Sequence, residues 1–268
     1  GLSTCARLQS GEMRCWGRNL EGQLANGETS NQEDSPVPVQ GMTDATRLVS
    51  GHSNHCAYDG DGRVYCWGSN GSEQITVDED TDAISTPTDL GVSSVADLAL
   101  ADAAICVLLE GNGGLTCLGT DTDPVVYSVP DFEDPVESIG AGFHHGCAVL
   151  ETGEVLCWGS ENKGEAAREK IVDDVPSISK VALGFEHSCA LSDSGTVYCW
   201  GSNESGQLGV GSGERPDGAV PVDGLQQIVD IDAGHNHTCA LDSDGAVYCW
   251  GSDGEGFFQP LPTGIFGL

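Results

Sequence analysis

Twelve cysteines fall into six pairs along the chain, and in five of the six the two members lie ten residues apart. The pairs are Cys5/Cys15, Cys56/Cys66, Cys106/Cys117, Cys147/Cys157, Cys189/Cys199 and Cys239/Cys249, the third being one residue wider. Spacing this regular comes from a repeated unit. The clearest copies read G-F-E-H-S-C-A-L-S-D-S-G-T-V-Y-C-W-G from Gly184 and G-H-N-H-T-C-A-L-D-S-D-G-A-V-Y-C-W-G from Gly234. Each has an apolar run, a polar turn ending in Gly, and a second apolar run rich in Val, Tyr and Trp, which is the pattern of a β-hairpin. Six copies predict six hairpins.

Counting inward from Cys189 and Cys199 sets Leu191 opposite Val197 and Ser192 opposite Thr196. Asp193, Ser194 and Gly195 are left as a three-residue loop, with Gly where a positive φ is needed. The cysteines then stand directly opposite each other, where Cα atoms are roughly 4.5 to 5.5 Å apart, a separation that a disulfide accepts. Six disulfides, one per hairpin, are expected. Free thiols packed as small hydrophobes are the alternative that an even count permits. Zinc is disfavoured, since there is no C-x-x-C and no two cysteines are closer than ten residues. Paired spacing repeated six times suits an oxidising compartment, so the expected location is extracellular, at the cell surface or periplasmic.

Successive first cysteines are 51, 50, 41, 42 and 50 residues apart, a period that points to propeller blades. Between hairpins come a variable polar segment, a Pro-Val stretch such as Pro36-Val37-Pro38-Val39 or Val220-Pro221-Val222, and an alternating strand such as Ile228 to Ala233. Each unit therefore supplies up to four short strands, which is one blade. The expected architecture is all-β: a single propeller domain over residues 1–268, of six blades, or seven if one lies upstream of Gly1. The tail 258–268 is expected to close the ring beside the hairpin 2–16, so that no sheet edge is left open. No stretch reaches the apolar length of a membrane span.

The run G-x-x-H-[ST]-C-A-L followed by D-G-x-V-Y-C-W-G-S-N-x-x-G-Q-L-G resembles the regulator of chromosome condensation repeat, in its cysteine-rich bacterial extracellular form. Gly201 to Gly209 matches the loop that follows each hairpin closely, and Gly17 to Leu24 nearly so. The third repeat departs from the pattern: Ala101 to Cys106 and Cys117 to Gly119 lack the glycine, the histidine and the tryptophan. The resemblance implies partner binding through the turn before each hairpin and the loop after each W-G. Carried onto this chain, that face comprises Phe143, His144, Phe185, Glu186, His235, Asn236, His52 and Ser53. The two phenylalanines would form its anchor.

Charge narrows the partners. With 42 acidic and 10 basic residues the chain carries −32, a surface that repels phosphate backbones and anionic membranes. Neither nucleic acid nor membrane insertion is expected. A protein partner is, with self-association or a larger surface assembly as further forms of it.

The seven histidines all precede the first cysteine of a hairpin. A metal near a propeller axis is conceivable, but the repeat itself asks for His two residues before Cys, where ring nitrogens can satisfy backbone groups in the turn. All five tryptophans stand in C-W-G, which reads as packing between blades. Asp59-Gly60-Asp61-Gly62 and Asp242-Ser243-Asp244-Gly245 read as hairpin turns, since the chain passes straight into a strand where a calcium loop needs more ligands. Asp78 to Asp82 is an acidic loop open to weak cation binding. No cofactor is implied.

No nucleophile elbow, H-E-x-x-H or phosphate-cradling loop is present. The leading expectation is a secreted or cell-surface protein-binding propeller. A propeller lyase or hydrolase, favoured by a pair such as Glu186 with His187, is the second, and nucleotide exchange on a small GTPase is the third.

Overall fold

The computed structural model describes residues 3–76, 81–101, 104–111, 114–119, 132–143, 145–159, 169–170, 175–211, 213, 216–252 and 258–265. The chain forms two compact units, Gly1–Tyr127 and Ser128–Leu268. Every helix or strand among the described residues is a β-strand, and every pairing is antiparallel.

The first unit holds three sheets. Sheet 1 is β1 (Ser3–Arg7), β2 (Met13–Asn19) and β3 (Ser30–Pro38). Sheet 2 is β4 (Arg47–Ser50), β5 (Asn54–Tyr58), β6 (Val64–Ser69) and β7 (Ala83–Asp89), and sheet 3 is β8 (Val95–Leu100), β9 (Ile105–Leu109) and β10 (Leu115–Leu118). The second unit holds sheet 4, with β11 (Val136–Ala141), β12 (His145–Leu150), β13 (Val155–Gly159) and β14 (Glu169–Lys170), and sheet 5, with β15 (Ile178–Leu183), β16 (His187–Ser192), β17 (Val197–Gly201) and β18 (Val220–Pro221). Sheet 6 is β19 (Ile228–Ala233), β20 (Asn236–Asp242), β21 (Val247–Ser252) and β22 (Phe258–Ile265). Strands neighbour one another in chain order throughout. Residues 258–265 form the trailing strand of sheet 6, with Cys249 opposite Thr263.

The predicted hairpin register holds. Leu191 faces Val197 and Cys189 faces Cys199, and Gly195 has φ of 80°. All six disulfides form within their hairpins: Cys5–Cys15, Cys56–Cys66, Cys106–Cys117, Cys147–Cys157, Cys189–Cys199 and Cys239–Cys249. One expectation needs correcting. The Cα atoms are 3.9 to 4.1 Å apart, closer than the sequence geometry suggests, with Cys5 and Cys15 at 4.1 Å and Cys56 and Cys66 likewise at 4.1 Å. The turn explains the closeness: Ser192 N–H donates to Thr196 O at 2.9 Å, so the cysteines three places on occupy a non-hydrogen-bonded position, where paired strands approach most closely.

The second cysteine of a pair also meets the strand that follows its hairpin. Cys15 stands opposite Val37 and Cys66 opposite Thr88, and both cysteines are fully buried. Regular register ends there: it shifts between Cys15 and Gly17, between Cys66 and Gly68, and between Cys249 and Gly251. Repeat spacing shows the cysteine pairing but not this irregularity, because the trailing strand has a different length and sequence in each copy.

Within each unit the cores lie between successive sheets. Cys189, Leu191, Val197 and Cys199 of sheet 5 cluster with Ile228, Ile231, Ala240 and Trp250 of sheet 6. Cys147, Val149 and Cys157 of sheet 4 meet Val181, Ala190 and Trp200 of sheet 5 in the same way. Four of the tryptophans, at positions 67, 158, 200 and 250, are at most 6% exposed. Two of them are also fixed by hydrogen bonds, Trp67 Nε1–H to Gln23 O at 2.9 Å and Trp250 Nε1–H to Gln207 O at 2.8 Å. The G-Q-L loop after one hairpin thus receives the indole of the next.

A bulge interrupts the leading strand of sheets 3, 4, 5 and 6 at the same place, beside Asp97, Ser138, Lys180 and Asp230. Three of these positions take part in ion pairs between sheets. Arg47 of β4 meets Asp97 of β8 at 2.6 Å, and Lys180 of β15 pairs with Asp230 of β19.

Candidate functional site

The turns that precede the hairpins of the second unit are laced together by their backbones. Phe143 N–H donates to Gly184 O at 3.4 Å, and Phe185 N–H donates to His235 O at 3.0 Å. The same spacing brings their side chains together. The rings of Phe143 and Phe185 have centroids 4.4 Å apart at 44°, and those of Phe185 and His235 lie 4.2 Å apart at 17°. Three sheets therefore contribute one ring each to a continuous aromatic row. Phe143 and Phe185 are half-buried and His235 is exposed, which keeps the proposed anchor accessible.

Glu186 and Asn236 flank this row and are partly exposed. His52 and Ser53 belong to the first unit, on the corresponding turn before β5, where Ser53 O accepts from Ser69 N–H at 2.9 Å. Glu186 O accepts from Ser202 N–H at 2.7 Å in the same manner. His144 lies outside the described residues, as do Asp78 to Asp80 of the acidic loop.

Beneath the row is a second set of contacts, which the sequence reading assigned differently. The histidine two residues before Cys was expected to serve backbone groups of its own turn; its Nε2 instead reaches the next sheet. His145 Nε2 is 2.9 Å from Ser188 Oγ, and His187 Nε2 is 2.9 Å from Thr238 Oγ1. Ser188 and Thr238 each stand one residue before the first cysteine of their hairpin. In the first unit the partners are exchanged: Ser3 supplies the hydroxyl and His55 the imidazole, at 3.0 Å. A Ser or Thr before Cys in the copy after a His-bearing copy was the signal available for this pairing.

The tautomer follows from the second bond of Thr238. Its hydroxyl donates to Gln207 O at 3.2 Å, which leaves its oxygen to accept, so His187 carries its proton on Nε2. Burial holds His187 far below the usual imidazole range, at about 3, with His145, His237 and His235 adding to the depression. His55 is lowered to about 4, again mainly by burial. Buried, held neutral and tied through Nε2 to Thr238, His187 serves the joint between sheets 5 and 6 and is a weak proton acceptor.

The glycine of G-x-x-H has a packing role. A Cβ on Gly184 would stand 2.1 Å from His187 Cε1, and one on Gly142 would stand 2.5 Å from His145 Cε1. Only hydrogen at that position lets the imidazole lie across the turn.

The acidic hairpin turns are self-contained. Asp59 Oδ1 accepts from the N–H groups of Asp61 and Arg63, both at 2.9 Å. Asp242 Oδ1 accepts from those of Asp244 and Ala246 at 2.9 and 2.8 Å. These carboxylates shape turns, as the sequence reading held. Among the described residues no cluster of three or more His, Cys, Asp or Glu could hold a metal ion.

Antiparallel sheets of three or four strands, following one another in chain order and buried face against face, define a propeller-type repeat protein. The regulator of chromosome condensation (RCC1) repeat matches at residues 46–74, 136–165, 178–207 and 228–256, and a second description of that repeat matches at 194–241. The chain belongs to the RCC1 repeat family. It is 31% identical over 180 residues to the ultraviolet-B receptor UVR8 of Arabidopsis thaliana, covering 59% of this chain and 40% of that one.

Among solved structures, human WBSCR16 superposes with a TM-score of 0.79 at 17% identity, over 96% of this chain and 81% of that one. Yeast RCC1 (Prp20), solved bound to Kap60, superposes with a TM-score of 0.74 at 21% identity, over 100% and 73%. These likenesses establish the β-propeller fold. The chain spans less than half the length of the curated relatives it matches.

Proposed function

We propose that this chain is a protein-binding propeller of an oxidising, extracellular setting, and that it engages its partner through the turns that precede its hairpins. The observation that carries this reading is the row Phe143, Phe185 and His235, three rings packed one against the next on consecutive sheets that remain partly or wholly accessible. Aromatic side chains fixed by neighbours give large contact area at low entropic cost, which is the character of interface anchors. The laced backbone beneath them presents the row without a further ordering cost.

Two facts support the setting and the partner class. Six disulfides with no free cysteine suit secretion, and no helix among the described residues is long and apolar enough to cross a membrane. A solved relative, yeast Prp20, is bound to Kap60. The charge of −32 disfavours nucleic acid as the partner.

The test is affinity capture from the native surroundings with the wild-type chain and with Phe143→Ser/Phe185→Ser. A protein retained by the wild type and lost by a variant that keeps its six disulfides supports the reading. Equal capture by both overturns it.

A further inference from the structure

Three asparagines begin an N-x-S/T acceptor sequence for N-linked sugar: Asn70-Gly71-Ser72, Asn203-Glu204-Ser205 and Asn236-His237-Thr238. The structure sorts them. Asn70 is 2% exposed and its carboxamide is saturated: Nδ2 donates to Thr76 O at 3.0 Å and to Thr81 O at 2.7 Å, while Oδ1 accepts from the N–H groups of Ile75 and Thr76 at 2.9 and 3.0 Å. Asn203 is 3% exposed and organises its loop in the same way, with Nδ2 donating to Gly211 O at 2.9 Å and Oδ1 accepting from Leu208 N–H at 3.2 Å. A sugar on Nδ2 replaces one of its two hydrogens and has no room at either buried site, so neither residue carries one in the folded chain.

Asn236 differs on both counts. It is half-buried, at the start of β20 beside the exposed His235, and its carboxamide makes no hydrogen bond among the described residues. Alternation along β20 puts its side chain on the same side as Thr238 and Ala240. That side packs against sheet 5 within the second unit, where Thr238 Oγ1 meets His187 Nε2 and Ala240 joins the core with Leu191. The accessibility of Asn236 is therefore set inside one unit. Equivalent turn positions agree: Glu186, with sheet 6 following it, and Ser53, with sheet 3 following it, are half-buried too.

We infer that Asn236 is an N-glycosylation site of this chain, which rests on the extracellular setting proposed above and not on the partner face. Nδ2 of Asn236 takes the anomeric carbon of an oligosaccharide carried on a polyprenyl diphosphate. A C–N bond forms, the C–O bond to phosphate breaks, the lipid diphosphate leaves, and the amide proton passes to a base on the transferase. Thr238 supplies the hydroxyl that completes the acceptor sequence. In the fold Thr238 is 0% exposed and its hydroxyl donates to Gln207 O at 3.2 Å, so transfer precedes the closing of sheet 6 on sheet 5. Asn70 and Asn203 are open at that stage as well, but chains modified there cannot close their loops. In the folded chain the glycan stands one residue from His235, at the end of the aromatic row.

Proteolysis and mass spectrometry of the protein from the cells that make it test this, with thiols alkylated before reduction. The peptide bearing Asn236 is expected chiefly in a glycan-carrying form, which peptide-N-glycosidase strips while converting the Asn236 carboxamide to a carboxylate. The peptides bearing Asn70 and Asn203 are expected bare. Secreted from a host that performs this transfer, the wild type is expected to be one glycan heavier than Asn236→Gln, with six disulfides in both. Asn236→Asp takes the place of Asn236→Gln if that variant does not keep its disulfides. An Asn236 peptide without sugar, a glycan on Asn70 or Asn203 of the folded chain, or a disulfide-intact variant as heavy as the wild type would each overturn the inference. The alkylation separates its failure from that of the setting: a bare Asn236 beside protected cysteines removes the glycan alone, whereas twelve reactive thiols remove the extracellular setting with it.

Discussion

His187 Nε2–H donates to Thr238 Oγ1 across 2.9 Å between two sheets, and the Thr238 hydroxyl donates in turn to Gln207 O at 3.2 Å. Both side chains are fully buried. Thr238→Val keeps the shape and removes the acceptor, leaving a buried N–H without a partner. The expected cost is about 1 to 3 kcal/mol, read as a lower urea midpoint. A midpoint equal to that of the wild type would show that the bond adds nothing.

Acid should weaken this joint. His187 is held neutral in the fold down to about 3 and His55 to about 4, against 6.5 unfolded. Between those values the unfolded chain binds more protons, so stability is full above about 6.5 and is lost as pH falls toward 4 and 3. Carboxylates titrate in part of the same range, so the comparison is with His187→Gln, which cannot be protonated. Urea midpoints from pH 7 to pH 4 are expected to fall more steeply for the wild type than for the variant. Parallel profiles would refute the assignment.

Gly184 separates packing from propensity. A methyl group there meets the His187 ring at 2.1 Å, so Gly184→Ala is expected to cost about 3 kcal/mol through overpacking. Gly71 has open space around it and no positive φ, and Gly71→Ala should change stability by less than about 0.5 kcal/mol. Thermal melts of the two variants check the contrast.

Each hairpin clasp closes a short loop. Replacing Cys189 and Cys199 together by alanine is expected to remove about 3 kcal/mol by the chain-entropy estimate. Thiol alkylation with mass measurement should find no reactive site in the unreduced wild type and twelve after reduction, one for each cysteine of the chain.

The hairpins were legible because their determinants are local. Opposed cysteines, a turn glycine at 195 and alternating apolar residues all act within a dozen positions, and the structure returns the same register. What joins one sheet to the next was not legible. The His187 to Thr238 bond spans 51 residues, and the Lys180 to Asp230 pair depends on a bulge beside each residue that no local pattern announces. The register shifts that follow Cys15 and Cys66 were hidden for the same reason, since each depends on a trailing strand that arrives from outside the hairpin. The candidate face came through the repeat, which marked Phe143, Phe185 and His235 as equivalent. It could not show that their rings pack together, since that depends on how far one sheet sits from the next.

The exchange of Ser3 and His55 relative to His145 and Ser188 means that the hairpins are not interchangeable parts. Each carries half of a two-letter address, and its neighbour carries the other half. Where the address is blank, as at Asn54, followed in the next sheet by Ile105 at the hydroxyl position, the buried amide finds no hydrogen-bond partner among the described residues. A hairpin moved to another place in the order, by recombination or by design, would arrive with the wrong letter on both sides. A change at one half of a joint therefore calls for a matching change at the other, and the order of the blades is written into the side chains that meet between sheets.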